Sequence, residues 1–367
     1  MRRIPGSLIQ AAICAGLISL LDPLPSFISL GPAISLGPAS LEAADLSAAQ
    51  ARSSVPDQLA FVSPKDGNAD IYLINADGSG LRRLTRPPGQ STVPVWSPDG
   101  RRIAFVRSRD GDRQIYLMNA DGRQQAKLTS PPGISFLPAW SPDGRRIAFV
   151  SGRDGGPQIY VMDADGRGQR RLTRRPGLST APVWSLDGRR IAFVSSRDGG
   201  PQIYVMDADG RGQRRLTARD VLLRPGALHP VWSPDGRRIA FVSRVGRAEQ
   251  EITVMNADGS AQTRLATGYA PAWSPDGRRI AFVVARVGDA QIYMTNADGG
   301  GGTRLTSPPG INFLPVWSRD GRRIAFLSSR DGELSISVMN ADGSGQRRLA
   351  PAYGDFSSLP LMAWRPR

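Results

Sequence analysis

Tryptophan returns along this chain at a spacing that leaves few folds open. It stands at Trp96, Trp140, Trp184, Trp232, Trp273, Trp317 and Trp364, with gaps of 44, 44, 48, 41, 44 and 47 residues. Most of these positions sit in the run Pro-x-Trp-Ser-Pro-Asp-Gly-Arg-Arg-Ile-Ala-Phe. A period in the forties that holds several short strands marks a β-propeller. Around Trp96, residues 93–96 read as a first strand. Ser97-Pro98-Asp99-Gly100 reads as a tight turn, because proline presets φ and glycine accepts a positive φ. Residues 101–106 read as a second strand, apolar on both faces, as suits a strand packed between two neighbouring sheets. A turn at 108–111, a third strand at 115–118, a turn at 119–122 and an outer strand from Lys127 follow. Such a sheet cannot bury both its faces alone, so it needs neighbours on each side.

The second-strand phenylalanine also recurs seven times, at Phe61, Phe105, Phe149, Phe193, Phe241, Phe282 and Phe326. The order is offset. The chain enters the repeat on a second strand (58–63) and leaves it on a first strand (361–364). The expected fold is all-β: a seven-bladed β-propeller of four-stranded antiparallel blades over residues 57–367. The C-terminal strand completes the first blade and so removes the exposed edge of a linear array. The seven tryptophans are expected between blades.

Composition narrows the chemistry. The 367 residues include one cysteine, Cys14, and one histidine, His229. That count excludes a disulfide, a thiolate metal site and a multi-histidine metal site from the repeat region. No metal or other cofactor is expected. The formal net charge is +15, and of 47 basic residues only Lys65 and Lys127 are lysines. Such a balance favours anionic partners or surfaces. Residues 1–56 read as a leader and linker. A basic start, Arg2-Arg3, precedes the apolar run 7–21, which has the length of a signal core and is short for a membrane span. Small-residue cleavage points lie at 47–49 and 49–51. Ile13 before Cys14 argues against a lipid anchor there. Export to the periplasm or the outside of the cell is expected, with no transmembrane span in the propeller.

The unit Trp-Ser-Pro-Asp-Gly-Arg-Arg-Ile-Ala-Phe-Val-Ser, then Arg-Asp-Gly, Ile-Tyr-Val-Met, Asp-Ala-Asp-Gly and Arg-Arg-Leu-Thr, resembles the TolB-type repeat, a relative of the WD-repeat group. The resemblance covers about residues 57–367. It implies a periplasmic propeller that binds envelope proteins, among them the peptidoglycan-associated lipoprotein. TolB itself carries an α/β domain before a six-bladed propeller, and residues 1–56 cannot form that domain. Related repeats occur in prolyl oligopeptidase-type enzymes and oligogalacturonate lyases. The first need a hydrolase domain with a Gly-x-Ser-x-Gly elbow, which is missing here. The second imply histidine-rich metal chemistry, which one histidine cannot supply.

Strand alternation puts the Ser-Pro-Asp-Gly and Asn-Ala-Asp-Gly turns on one face. The Arg-Asp-Gly loops and the long crossings toward each tryptophan fall on the other, where the repeats differ most. The residue four before each tryptophan is expected at the central mouth: Thr92, Phe136, Thr180, Leu228, Tyr269, Phe313 and Pro360. His229 follows Leu228 in the longest crossing, 218–230. The ring is apolar and aromatic and holds no carboxylate pair, so general acid/base chemistry is not expected there. It reads either as a plug that merely fills the channel or as a place for an extended peptide, an apolar segment or an envelope protein. The expected function is therefore a non-enzymatic, exported protein-binding scaffold. The alternative is a module for carbohydrate or anionic polymer, acidic polysaccharide included, related to the lyase-type propellers. Nucleic acid is not expected, because no reading motif and no exposed stacking aromatics accompany the charge.

Overall fold

The computed structural model describes residues 57–63, 67–217, 230–243, 250–286, 288–330, 333–352 and 362–366. Among them every regular element is a β-strand. In the Trp96 unit these are Gln90–Trp96, Arg102–Arg109, Asp112–Asn119 and Ala126–Lys127. The first turn is built by its own side chains. Ser97 Oγ donates to Asp99 (2.5 Å) and accepts from the Arg102 amide (2.9 Å), while Asp99 accepts from the Arg101 amide (3.1 Å). Gly100 takes φ 64°, a conformation that glycine adopts at little cost. Ile103, Ala104, Phe105 and Val106 are all buried, so both faces of the second strand lie in core. Phe105 pairs with Tyr116 across the ladder, ring centroids 5.7 Å apart. The outer strands are shorter than the repeat implies, two residues long in most units.

The expectation of seven separate blades needs correction. Five four-stranded sheets are separate, and the remaining strands form one eight-stranded sheet. That larger sheet joins the meander beginning at Tyr269–Trp273 to the one beginning at Ile311–Trp317. The join is a parallel pairing of Ala290 with Ile311. At matching places elsewhere a single backbone bond ties an incoming strand to the sheet before it. Ser91 N–H reaches Ala69 O (2.7 Å) and Ser179 N–H reaches Pro157 O (2.9 Å).

The two ends of the described chain meet. Met362–Trp364 pairs antiparallel with Gln58–Ser63, matching Leu59 with Trp364 and Ala60 with Ala363. The first strands then touch one another in a complete circuit, the last of them against Gln90–Trp96. A hydrogen-bond relay follows the same circuit. Each tryptophan indole donates to the carbonyl just before the previous tryptophan. Trp140 reaches Val95 (3.2 Å), Trp184 Ala139 (3.1 Å), Trp232 Val183 (3.2 Å), Trp273 Val231 (3.1 Å) and Trp317 Ala272 (3.1 Å). Trp364 reaches Val316 (3.0 Å), and Trp96 reaches Ala363 (3.0 Å) across the seam. All seven indoles are buried. Burial of an indole needs such an acceptor for its N–H.

Arginine lids cover the relay. Arg102 lies over Trp140, Arg146 over Trp184, Arg190 over Trp232, Arg238 over Trp273 and Arg279 over Trp317, 4.8 to 5.3 Å from the ring centroids. Arg323 instead pairs with Asp57 (3.5 Å). At the seam the matching strand position is Gln58, so Arg365 takes over. It lies over Trp96, donates to Gly100 O (2.8 Å) and to Gln58 Oε1 (2.7 Å). Outside the tryptophans, glutamines latch five of the units to the one before. Gln125, Gln169, Gln213, Gln262 and Gln346 donate to the carbonyls of Leu84, Leu128, Leu172, Leu216 and Leu305.

Candidate binding faces

The antiparallel meanders give the molecule two faces. The lower face carries the turns after each tryptophan and after each third strand. The upper face carries the Arg-Asp-Gly loops and the crossings. Each described long first strand is bulged at the same place. The register shifts between Thr92 and Val95, Phe136 and Ala139, Thr180 and Val183, Tyr269 and Ala272, and Phe313 and Val316. Inside each bulge one residue adopts a left-handed φ: Val93 at 55°, Leu137 at 51°, Ala181 at 51°, Ala270 at 53° and Leu314 at 54°. That conformation is costly for a residue with a side chain, most of all for branched valine. Five copies of it on the innermost strands mean that ring packing over-determines the bend.

The bulges set the candidate mouth residues. Phe136 is buried against Val106, Leu137 and Val150, with Val93 beside it. Phe313 and Leu314 are buried in the cluster that joins the last meander to the first, and Tyr269 packs against its edge. Thr92, Thr180 and Tyr269 are half-buried. Leu228 and His229, with Pro360, lie outside the described residues. Two of the aromatic mouth positions are thus filled with core contacts, and the two threonines and the tyrosine present the accessible surface.

Sequence reasoning missed a second upper feature. Arg107, Arg153 and Arg197 each fold back over the Phe–Tyr pair of their own unit. Each also donates to a latch glutamine, Gln125, Gln169 or Gln213, at 2.8 Å. Arg107 follows Phe105 by two residues, whereas Arg153 and Arg197 follow Phe149 and Phe193 by four, so no common spacing separated a folded-back arginine from a solvated one. The nearby carboxylates are committed too. Tyr160 donates to Asp154, which also accepts from Arg171 (2.8 Å). The Tyr160 hydrogen bond, with the Arg171 contact, holds the Asp154 carboxyl below its ordinary value despite some desolvation. Burial and then the bond to Asp154 push the Tyr160 phenol up to about 12. Tyr204 and Asp198 repeat the arrangement, with the phenol again at about 12. Asp154 is thereby held ionised and the two phenols protonated near neutrality, so none of the three is poised to trade protons there. Among the described residues no group of three or more His, Cys, Asp or Glu side chains could hold a metal ion. No helix among them is long and apolar enough to cross a membrane.

The model of the TolB β-propeller domain matches residues 42–131, 123–270 and 226–362. This chain belongs to the TolB β-propeller family. No curated protein sequence matches it. Among solved structures it is similar to TolB from Acinetobacter baumannii, with 24% identity and a TM-score of 0.57 over 74% of this chain and 70% of that one. It is also similar to an oligogalacturonate lyase from Vibrio parahaemolyticus, with 16% identity and a TM-score of 0.62 over 77% and 86% of the two chains. A puromycin-hydrolysing peptidase from Mycobacterium tuberculosis matches with 17% identity and a TM-score of 0.65, over 90% of this chain and 57% of the peptidase. At these identities the likenesses speak for the fold alone.

Proposed function

We propose that this TolB-family propeller is an exported, non-enzymatic scaffold that holds an envelope protein, or an extended segment of one, on its upper face. The observation that supports the reading is the set of bulged first strands, on which Thr92, Thr180 and Tyr269 are half-buried rather than sealed in the core. An extended peptide finds there a rigid rim of backbone and small polar groups, a form of recognition that needs little reorganisation. The commitment of Asp154 and Asp198 to tyrosine and arginine partners supports a role without proton-transfer chemistry. The apolar run at 7–21 supports export.

The test is proximity cross-linking in envelope preparations, comparing the wild-type chain with a Thr92→Arg/Thr180→Arg variant. Both threonines are half-buried, and the melting curve of the variant is measured beside that of the wild type to establish that it is folded. The scaffold reading expects one or more cross-linked proteins to disappear from the variant. An unchanged cross-linked set sinks the upper face as the binding site. Turnover of peptide, ester or glycan substrates by the purified chain contradicts the non-enzymatic part.

A further inference from the structure

The paired arginines of the turn motif have divided fates. The second of each pair is a lid over a tryptophan or, at Arg323, an ion-pair partner. The first of each pair is different. Arg101, Arg145, Arg189, Arg237, Arg278 and Arg322 are all exposed. Their amides bond to the turn aspartates. Among the described residues, none of their guanidinium groups makes a hydrogen bond, an ion pair within 4 Å or a ring contact. These turns follow the innermost strands, so the six cations encircle the centre of the lower face.

The neighbouring aspartates do not cancel them. Asp99, Asp143, Asp187, Asp235 and Asp276 each accept a serine hydroxyl and a backbone amide. Each turn still carries two arginines against one aspartate. Farther out, the second set of lower turns carries Asp77, Asp121, Asp165, Asp209, Asp258, Asp298 and Asp342, each accepting from its own loop. Three of these aspartates pair with an exposed arginine of the same loop, Asp121 with Arg123, Asp165 with Arg167 and Asp209 with Arg211, at 3.7 to 3.8 Å, so the outer turns are mixed in charge and the unpaired cations lie at the centre.

We infer that the lower face binds a linear, carboxylate-bearing polysaccharide across this arginine ring. Free guanidinium forks match carboxylates in two-point hydrogen bonds. A repeating polyanion meets a repeating set of cations, so several weak contacts act together. The face also lacks what other polyanion binders use. Among the described residues the exposed large hydrophobic side chains are Leu81 and Leu178 alone, so there is no exposed aromatic for base stacking and no apolar wedge for lipid. This inference concerns the face opposite the proposed protein site and does not depend on it.

The experiment measures binding of the full chain to alginate by calorimetry, with neutral dextran as control. Two variants of equal charge change are compared: Arg101→Gln/Arg145→Gln/Arg189→Gln on the lower face, and Arg109→Gln/Arg286→Gln/Arg330→Gln on the upper face. The expected result is binding to alginate and not dextran, lost on going from about 20 mM to about 0.5 M salt. The lower-face variant should lose about tenfold or more in affinity, and the upper-face variant much less. No alginate binding at low salt overturns the inference. So does equal weakening by the two variants, which would mean that net charge alone is responsible. Tighter binding of a single-stranded oligonucleotide than of alginate, weakened by the same lower-face variant, overturns it in favour of nucleic acid.

Discussion

Trp184 shows what a single side chain contributes to this ring. Its indole is fully buried, donates to Ala139 O at 3.1 Å and lies under Arg146. Trp184→Ala should cost about 3–5 kcal/mol in urea unfolding, because it opens a cavity between two meanders. Trp184→Phe keeps most of the volume and strands the carbonyl, so it should cost about 1–3 kcal/mol. A Trp184→Phe cost near zero would mean that the relay bond adds nothing to packing. The burial of these tryptophans was legible from their spacing, since only a residue inside the stack recurs with the stack. The division between Arg101 and Arg102 was not. Both sit at a turn–strand junction, and only the neighbouring meander's tryptophan decides which one is covered. The bulges were hidden for a related reason. Val93 and Leu137 hold left-handed backbones without the glycine that normally announces one.

At the scale of elements, the turn after each tryptophan owes its shape to serine and aspartate more than to proline. Leu186 and Arg319 replace the proline in two turns, yet Ser185 still bonds Asp187 and Ser318 still bonds Asp320. Pro142→Ala should therefore cost less than about 1 kcal/mol. Ser141→Ala should cost about 1–3 kcal/mol, since the Arg146 amide loses its acceptor. Paired unfolding curves check both, and a reversed order would contradict the assignment. The same turns set the acid limit. Partial burial raises the cost of ionising Asp99, Asp143, Asp187, Asp235 and Asp276. Bonds from serine and the arginine amide, with the flanking arginine charges, outweigh it and hold all five below the ordinary 3.8. A depressed carboxylate stabilises the fold at pH values above its ordinary value and loses that contribution as pH falls through its folded value. The melting midpoint should stay flat from about pH 7 to about pH 5 and fall below about pH 4. Asp143→Asn should make the fall shallower; an equally steep fall would remove this turn from the account. The strand order of a unit could be read from its turns, whereas the short outer strands could not. Leu128 and its counterparts leave the ladder to pack between units, so apolar periodicity overstates the outer strand's length.

Over the whole molecule, closure was written in the offset between the first and last strands of the repeat. The joining of two meanders into an eight-stranded sheet was not, because it turns on one parallel pair, Ala290 with Ile311. The seam differs from the other junctions in being held by a three-residue strand and by Arg365, which replaces the missing turn arginine over Trp96. Every other junction depends on it in the sense that a ring has no free edge until one junction opens. The most direct measurement is calorimetric melting of a chain ending at residue 360. It lacks Met362–Trp364, the acceptor for Trp96 and the Arg365 lid. With a lost indole costing about 3–5 kcal/mol, the midpoint should drop by at least about 5 °C for the entire transition. An unchanged midpoint, with the same enthalpy, would contradict a ring closed by its C-terminal strand.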